Sequence, residues 1–341
     1  MDIVKKTLDT FEVGAPTTYR NLTIFPLIGS TPDAGPDYLT LDEGISTEAV
    51  KITEVSEGGS VPELLLTNHG SKPLLVIDGE EMLGAKQNRV INLTVMVDAR
   101  SKVVIPVSCV EAGRWQHTSE EFCASPNTMH ASGRRGKMAG VTAMMERCQS
   151  RCSDQGAVWD DISGKLGRMA APSESSEMKA AFDRHRTTID DFVSAFEPLE
   201  GQAGAIFAIG GRIAGLELFD HPETMARLLP KLVRSYALDA LDSRYSGGKQ
   251  DEVSQEEQDR LNDQAKLFVA SVGLANSTGH KAVGLGEDLR ISNNAVTGAA
   301  LTVNDSLMHL SAFPTEEQAN ERDHGRQGGM TSASRRRGFR R

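Results

Sequence analysis

Between residues 50 and 107 short apolar runs follow one another too closely for helices to fit between them. The runs occupy residues 50–55, 64–66, 74–77, 90–97 and 103–107. Strands joined in parallel need a crossover of a dozen residues or more, whereas antiparallel strands need only a tight turn. The spacing therefore argues against a parallel sheet and predicts an antiparallel, sandwich-like or curved one. The run Asn68-His69-Gly70-Ser71-Lys72-Pro73 supplies turn chemistry between two of the strands. An earlier apolar run, residues 21–27, extends this β-rich character over residues 1–116.

Downstream the pattern changes. Residues 117–200 read as mainly helical, after a polar, Ser-, Gly- and Arg-rich stretch at 119–137 that predicts a loop. Met138, Val141, Met145, Cys148 and Cys152 share one helical face, and a short helix is predicted over 155–166. Met178, Ala181, Phe182, His185, Ile189, Phe192, Val193 and Phe196 fit one long amphipathic helix. Residues 201–314 mix both types. Asp220-His221-Pro222-Glu223 opens one helix and Ser254 with Glu257 another. Strands are predicted at 205–209, 282–285, 288–291, 299–303 and 308–313. The fold class is thus α+β, with a β-rich N-terminal half, a helical middle and a mixed α/β C-terminal part. Residues 1–314 read as one main globular body.

Apolar residues stop after Pro314, so residues 315–341 read as a disordered tail. A loop is predicted at 242–253 around Ser246-Gly247-Gly248-Lys249. The net charge of −10 makes a general nucleic-acid partner a poor expectation, because phosphate binding draws on clustered Lys and Arg. The exception is residues 335–341, where Arg335, Arg336, Arg337, Arg340 and Arg341 form a basic end. It reads either as a solvated tail or as an electrostatic handle. Aromatic residues are only 5%, too few for a single-strand stacking platform. No signal-peptide pattern opens the chain and no run approaches a membrane span, so the expected location is the cytoplasm, with no membrane partner.

No hydrolase elbow, zinc-protease, Walker A or calcium-loop pattern occurs, and the glycine spacings do not make a dinucleotide fingerprint. Cys148 and Cys152 read as small hydrophobes, without a matching second pair of metal ligands. No metal site is assigned and no cofactor is named.

The densest polar cluster is Asp78-Gly79-Glu80-Glu81-Met82-Leu83-Gly84-Ala85-Lys86-Gln87-Asn88-Arg89, read as a long connection between two strands. Glu80 and Glu81 are the candidate catalytic acids, since adjacent like charges raise one pKa. Lys86 and Arg89 can hold phosphate, Arg with a two-pronged grip, and Gln87 and Asn88 can orient a base or ribose. The alternative is a solvated loop with local ion pairs. The second cluster is Ser108-Cys109-Val110-Glu111-Ala112-Gly113-Arg114-Trp115. Here Glu111 and Arg114 complete a pocket. Trp115 offers a flat wall to an aromatic ring or caps the core. Cys109 is an inert buried thiol, or a nucleophile if a positive neighbour or a base such as His117 lowers its pKa. Two weaker clusters lie at 284–290 and around Gly210-Gly211-Arg212 with Glu217 and Asp220, and His309 reads as a satisfied strand histidine.

The stretches Thr53-Glu54-Val55-Ser56-Glu57-Gly58-Gly59-Ser60-Val61-Pro62-Glu63-Leu64, Asp78-Gly79-Glu80-Glu81, Gly84-Ala85-Lys86-Gln87-Asn88-Arg89 and Ile105-Pro106-Val107-Ser108-Cys109-Val110-Glu111-Ala112-Gly113-Arg114-Trp115 resemble the ARG and rhodanese-phosphatase-superfamily-associated protein family. The likeness covers roughly residues 10–313. That family's name records genomic company with ADP-ribosylglycohydrolases and phosphatase-like proteins. The resemblance implies a role near NAD or ADP-ribose metabolism and brings no catalytic assignment. The expected ligand is a nucleotide-type small molecule, bound and in one version processed. The alternative is a non-catalytic interaction module. Whether the chain is an enzyme, and its oligomeric state, stay open.

Overall fold

A computed structural model describes residues 3–30, 35–245 and 255–315. The first part contains α1 (Ile3–Leu8), β1 (Phe11–Val13), β2 (Thr17–Tyr19), β3 (Leu22–Gly29), β4 (Leu39–Thr40), α2 (Leu41–Ser46), β5 (Val50–Glu54), β6 (Glu63–Asn68), β7 (Leu74–Val76), β8 (Glu80–Gly84), β9 (Arg89–Ile91), β10 (Val95–Val97), β11 (Ser101–Cys109) and β12 (Phe122–Thr128). The middle holds α3 (Ala131–Cys148), α4 (Gln155–Arg168), α5 (Lys179–Arg184) and α6 (Arg186–Ser194). The last part holds β13 (Gln202–Ile209), β14 (Arg212–Phe219), α7 (Pro222–Tyr245), α8 (Gln255–Gly273), β15 (Asn276–Lys281), β16 (Glu287–Ser292), β17 (Val296–Val303) and β18 (Ser306–Pro314).

The α+β class, with its β-rich first half, helical middle and mixed last part, stands as the sequence predicts. Strands β12-β8-β9-β11-β6-β5 form a six-stranded sheet and β10-β7-β4 a three-stranded one. A nine-stranded sheet runs β1-β3-β13-β14-β18-β17-β16-β15, with β2 on β3. Among the described strands only β4 and β7 pair in parallel. Strand β3 crosses the chain to pair with β13, a contact that local spacing cannot reveal.

Strand β13 shows why the large sheet is covered on both faces. Ala205 and Phe207 pack toward the α7 core, and Ile206 and Ala208 toward the α8 core. Phe207 stacks on Tyr236 of α7 with centroids 3.9 Å apart. On the other face α8 lays down Leu261, Ala265, Phe268 and Val272 at helical spacing. Each large apolar side chain so buried contributes roughly 1.5–3 kcal/mol. Helix α7 starts where Asp220-His221-Pro222-Glu223 predicts, with Pro222 first and Glu223 in its first turn.

Several expectations need correction. The predicted loop at 119–137 contains β12 and the start of α3. Several of its polar residues are buried, Asn127, Thr128, Arg134 and Lys137 among them, so composition misled. The long helix over 178–196 is two helices, breaking at His185 (φ −111°), although its stripe stays in the core. Residues 90–97 are two strands in different sheets. The 282–285 segment is a turn rather than a strand. Gly284 and Gly286 take positive φ there, and the Leu285 N–H donates to the Met96 carbonyl at 2.8 Å. The loop core at 246–253, Ser254, and residues 316–341 with their arginines lie outside the described residues.

A buried charge lattice ties the layers together. Arg134 and Lys137 of α3 reach Asp78, which precedes β8. Arg134 also grips Glu217 of β14 with both Nη atoms, at 2.6 and 3.3 Å. Tyr236 donates to Glu217 at 3.1 Å, and His309 bridges Glu217 at 3.1 Å and Thr94 at 2.7 Å. Burial pushes Glu217 up, but Arg134 and His309 outweigh it and hold the carboxyl at about 2. Gly79 (φ +86°) must be glycine here, since a Cβ would sit 2.7 Å from the Arg134 side chain.

Candidate functional site

Residues 78–89 are no long connection. Strand β8 runs to Gly84, four residues turn, and β9 begins at Arg89, with Ala85 at φ +40° in the turn. Alternation along a strand then separates the two candidate acids. Glu80 accepts from Lys231 Nζ at 2.8 Å and from the Ile77 N–H at 3.0 Å. Glu81 accepts from Ser125 Oγ at 2.6 Å. Burial pushes Glu81 up to about 7, Ser125, Asn127 and Lys179 pull it down, and Glu177 adds a smaller push upward. Desolvation, not its sequence neighbour, perturbs Glu81, and its like-charged neighbour is Glu177.

The turn and the loop after β11 come together. Gln87 Nε2 donates to the Glu111 carbonyl at 2.9 Å, and the Asn88 N–H to Glu111 Oε2 at 3.0 Å. Arg114 grips Glu111 through Nε at 2.8 Å and Nη2 at 2.6 Å, and also meets Asn88 Oδ1 at 3.1 Å and the Ala85 carbonyl at 2.7 Å. Burial pushes Glu111 up, but the Arg114 grip and the Asn88 N–H leave it below the usual carboxylate range. Glu111, Arg114, Gln87 and Asn88 thus form a mutually bonded frame.

Above that frame sits Trp115, 46% exposed and not a core cap. Its ring lies 5.3 Å from Lys86 Nζ and 5.7 Å from the Arg89 guanidinium, close enough for cation–π attraction. Lys86 is already held, donating to the carbonyls of Glu57 at 2.8 Å and Gly58 at 2.5 Å. Arg89 is fully buried, opposite Cys109 across the β9–β11 pair. Only its Nη1 is engaged, with Gln87 Oε1 at 3.1 Å and weakly with the Asn88 carbonyl. Its Nε and Nη2 meet no acceptor. Those two N–H groups form the edge that grips a carboxylate or phosphate with two parallel hydrogen bonds.

Cys109 is buried and donates to the Glu111 carbonyl at 3.2 Å. Burial pushes its thiol up, and the Glu111 backbone contact and the Arg89 charge do not reverse that. The nucleophile reading of Cys109 finds no thiolate here, and His117 lies on the exposed part of the loop. Three residues that the sequence reading passed over join the site. Trp159 of α4 lies beside Cys109, and its buried indole N–H meets no acceptor at hydrogen-bonding length. Glu54 of β5 leaves a buried Oε2 without a partner. Glu177 meets Glu111 in a backbone β-bridge, and its carboxylate accepts from Asn88 Nδ2 at 3.4 Å. Glu54 stands in the first stretch that carries the family resemblance, which was its signal. Trp159 is one of two tryptophans in the chain and falls on the helix predicted over 155–166.

Glu80 and Glu81 do not converge on Arg89. Glu81 pairs with Val90, one register step from the Met82–Arg89 pair, so Glu81 and Arg89 project to opposite sides of the sheet. Glu80 is tied to Lys231. The weaker clusters resolve as structure: Asp288 pairs with Arg290 at 2.5 Å, Glu217 and His309 belong to the buried lattice, and Asp220 accepts from Tyr38. Among the described residues no three His, Cys, Asp or Glu side chains converge as metal ligands, and no helix is long and apolar enough to cross a membrane.

The family profile described as ARG and Rhodanese-Phosphatase-superfamily-associated Protein domain matches residues 10–313. No curated protein and no solved structure matches the chain.

Proposed function

The chain belongs to the ARG and Rhodanese-Phosphatase-superfamily-associated Protein family, and from that premise we propose that it binds a nucleotide-type ligand linked to NAD or ADP-ribose metabolism. The ligand lies against Trp115 and above Arg89. One observation carries this reading: Arg89 is fully buried, yet its Nε and Nη2 have no acceptor. A buried, unpaired cation costs several kcal/mol, and a bound oxyanion removes that cost. Trp115 adds an exposed ring face on which a base can stack. The Glu111, Arg114, Gln87 and Asn88 frame holds the turn in shape for both. Burial of Glu81 on the far face supports binding more than turnover.

Thermal-shift screening against NAD, ADP-ribose, ADP, AMP and nicotinamide mononucleotide tests the reading. A ligand present at about 100 times its dissociation constant adds about 2.7 kcal/mol of stability. The expected result is a shift that Arg89→Lys and Trp115→Ala each reduce, to about half where affinity falls tenfold. A shift with none of these ligands would favour the second reading, a non-catalytic interaction module. Its supporting observation is the exposure of Leu267 (66%) and Leu274 (74%), seven positions apart along α8 and its last hydrogen-bonded turn.

A further inference from the structure

Around Arg89 and Cys109, which pair across β9 and β11, the unsatisfied polar atoms are of two kinds. The donors are Arg89 Nε and Nη2 on β9 and Trp159 Nε1 on α4. The acceptor is Glu54 Oε2 on β5, attracted to the Arg89 charge and held nearby because Glu54 Oε1 accepts from the Lys86 N–H at 3.4 Å. Four polar atoms on three separate elements, all buried and none bonded, describe a ligand with an anionic end and a hydroxyl. Resting on the nucleotide reading above, we infer that the ligand is a nucleoside 5′-monophosphate type. Its single terminal phosphate sits on Arg89 and Trp159, its ribose hydroxyl donates to Glu54, and its base lies on Trp115.

Three points select this class. The Arg89 edge satisfies two oxygens lying in its own plane, and Trp159 approaches from another element and calls for a third. A tetrahedral terminal phosphate offers three; a planar carboxylate offers two. The place is also closed, with Arg89 and Cys109 fully buried. A terminal phosphate leaves it by one ester link, whereas the bridging diphosphate of NAD or ADP-ribose must leave by two. Finally, Glu54 beside the donors would repel a bare inorganic anion, but it accepts from a ribose hydroxyl attached to the same ligand.

Calorimetric titration of the full chain at fixed ionic strength tests this with AMP, nicotinamide mononucleotide, adenosine-5′-carboxylic acid, inorganic phosphate, ADP-ribose and NAD. The expected order places the monophosphates at least about tenfold tighter than the diphosphates or the carboxylic acid, as one more charge-assisted hydrogen bond allows. Trp159→Phe keeps the ring, removes the N–H and should weaken monophosphate binding by about tenfold. Glu54→Gln weakens AMP by about fivefold, the scale of one hydrogen bond, and leaves inorganic phosphate unchanged or tighter. This arm stands even if Trp159→Phe misfolds. Equal or tighter binding of NAD, ADP-ribose or the carboxylic acid overturns this inference while the nucleotide reading survives. Full AMP affinity in both variants does the same. Binding of none of the six overturns the nucleotide reading and this inference with it.

Discussion

Two buried groups on neighbouring strands face opposite demands. Arg89 carries a charge with no counter-charge in contact, whereas Glu81 keeps its proton into the weakly acidic range. For Glu81 the folded pKa of about 7 stands above the ordinary 4.5. The stability linked to its proton is complete below the unfolded value and is lost as pH rises through about 7. The wild type should therefore lose stability between about pH 4.5 and 7, by about 3 kcal/mol in the limit of full burial. Glu81→Gln should flatten that decline and melt higher than wild type at pH 8. Melting curves at half-unit pH steps check this, and an unchanged slope in the variant would show that Glu81 is not the group responsible. The polar type of these residues was legible from the sequence, but their orientation was not. Adjacent positions on a strand point apart, so Glu80 met Lys231, Glu81 met Ser125, and the expected pairing of the two acids was lost.

Helix α3 places two buried cations, Arg134 and Lys137, among carboxylates. They serve Asp78, in the turn before β8, and Glu217 on β14 of the large sheet. Removing one partner of such a lattice leaves a buried charge alone. Arg134→Met should cost about 3–5 kcal/mol, read from denaturant midpoints. Glu217 adds a pH signature of the opposite sign to Glu81. Its folded pKa, about 2, lies below the ordinary 4.5, so its stability is present above that value and is lost as pH falls through 2. Glu217→Gln should destabilise the protein at pH 7 and narrow its difference from wild type near pH 2. Gly79→Ala should destabilise as well, through its positive φ and the clash with Arg134. Helices α7 and α8 were readable because their buried faces are apolar. The opening turns of α3 were not, because their buried face is charged, and β15 was missed because its polar residues form an exposed edge.

At the scale of the whole molecule the large sheet takes strands from both ends of the chain, and the lattice links it to β7, β8 and α3. Loss of any one layer exposes charges in the others. Unfolding followed by far-ultraviolet circular dichroism and by fluorescence of Trp115 and Trp159 should give one coincident transition. Two separated transitions would mean that the sheets are energetically independent. The α+β class and the antiparallel pairing were legible because short-range spacing sets them. The β3–β13 pairing and the meeting of Glu54, Arg89 and Trp159 were not, since they join residues far apart in sequence. The most direct test of the central claim is a titration of nicotinamide mononucleotide into the wild type and Arg89→Lys, followed by tryptophan fluorescence. Lysine keeps the charge and loses the two-pronged edge. The site described here predicts saturable binding to the wild type and an affinity at least about tenfold weaker in the variant, with folding intact. Equal affinity in the two proteins, or no binding to the wild type, would contradict it.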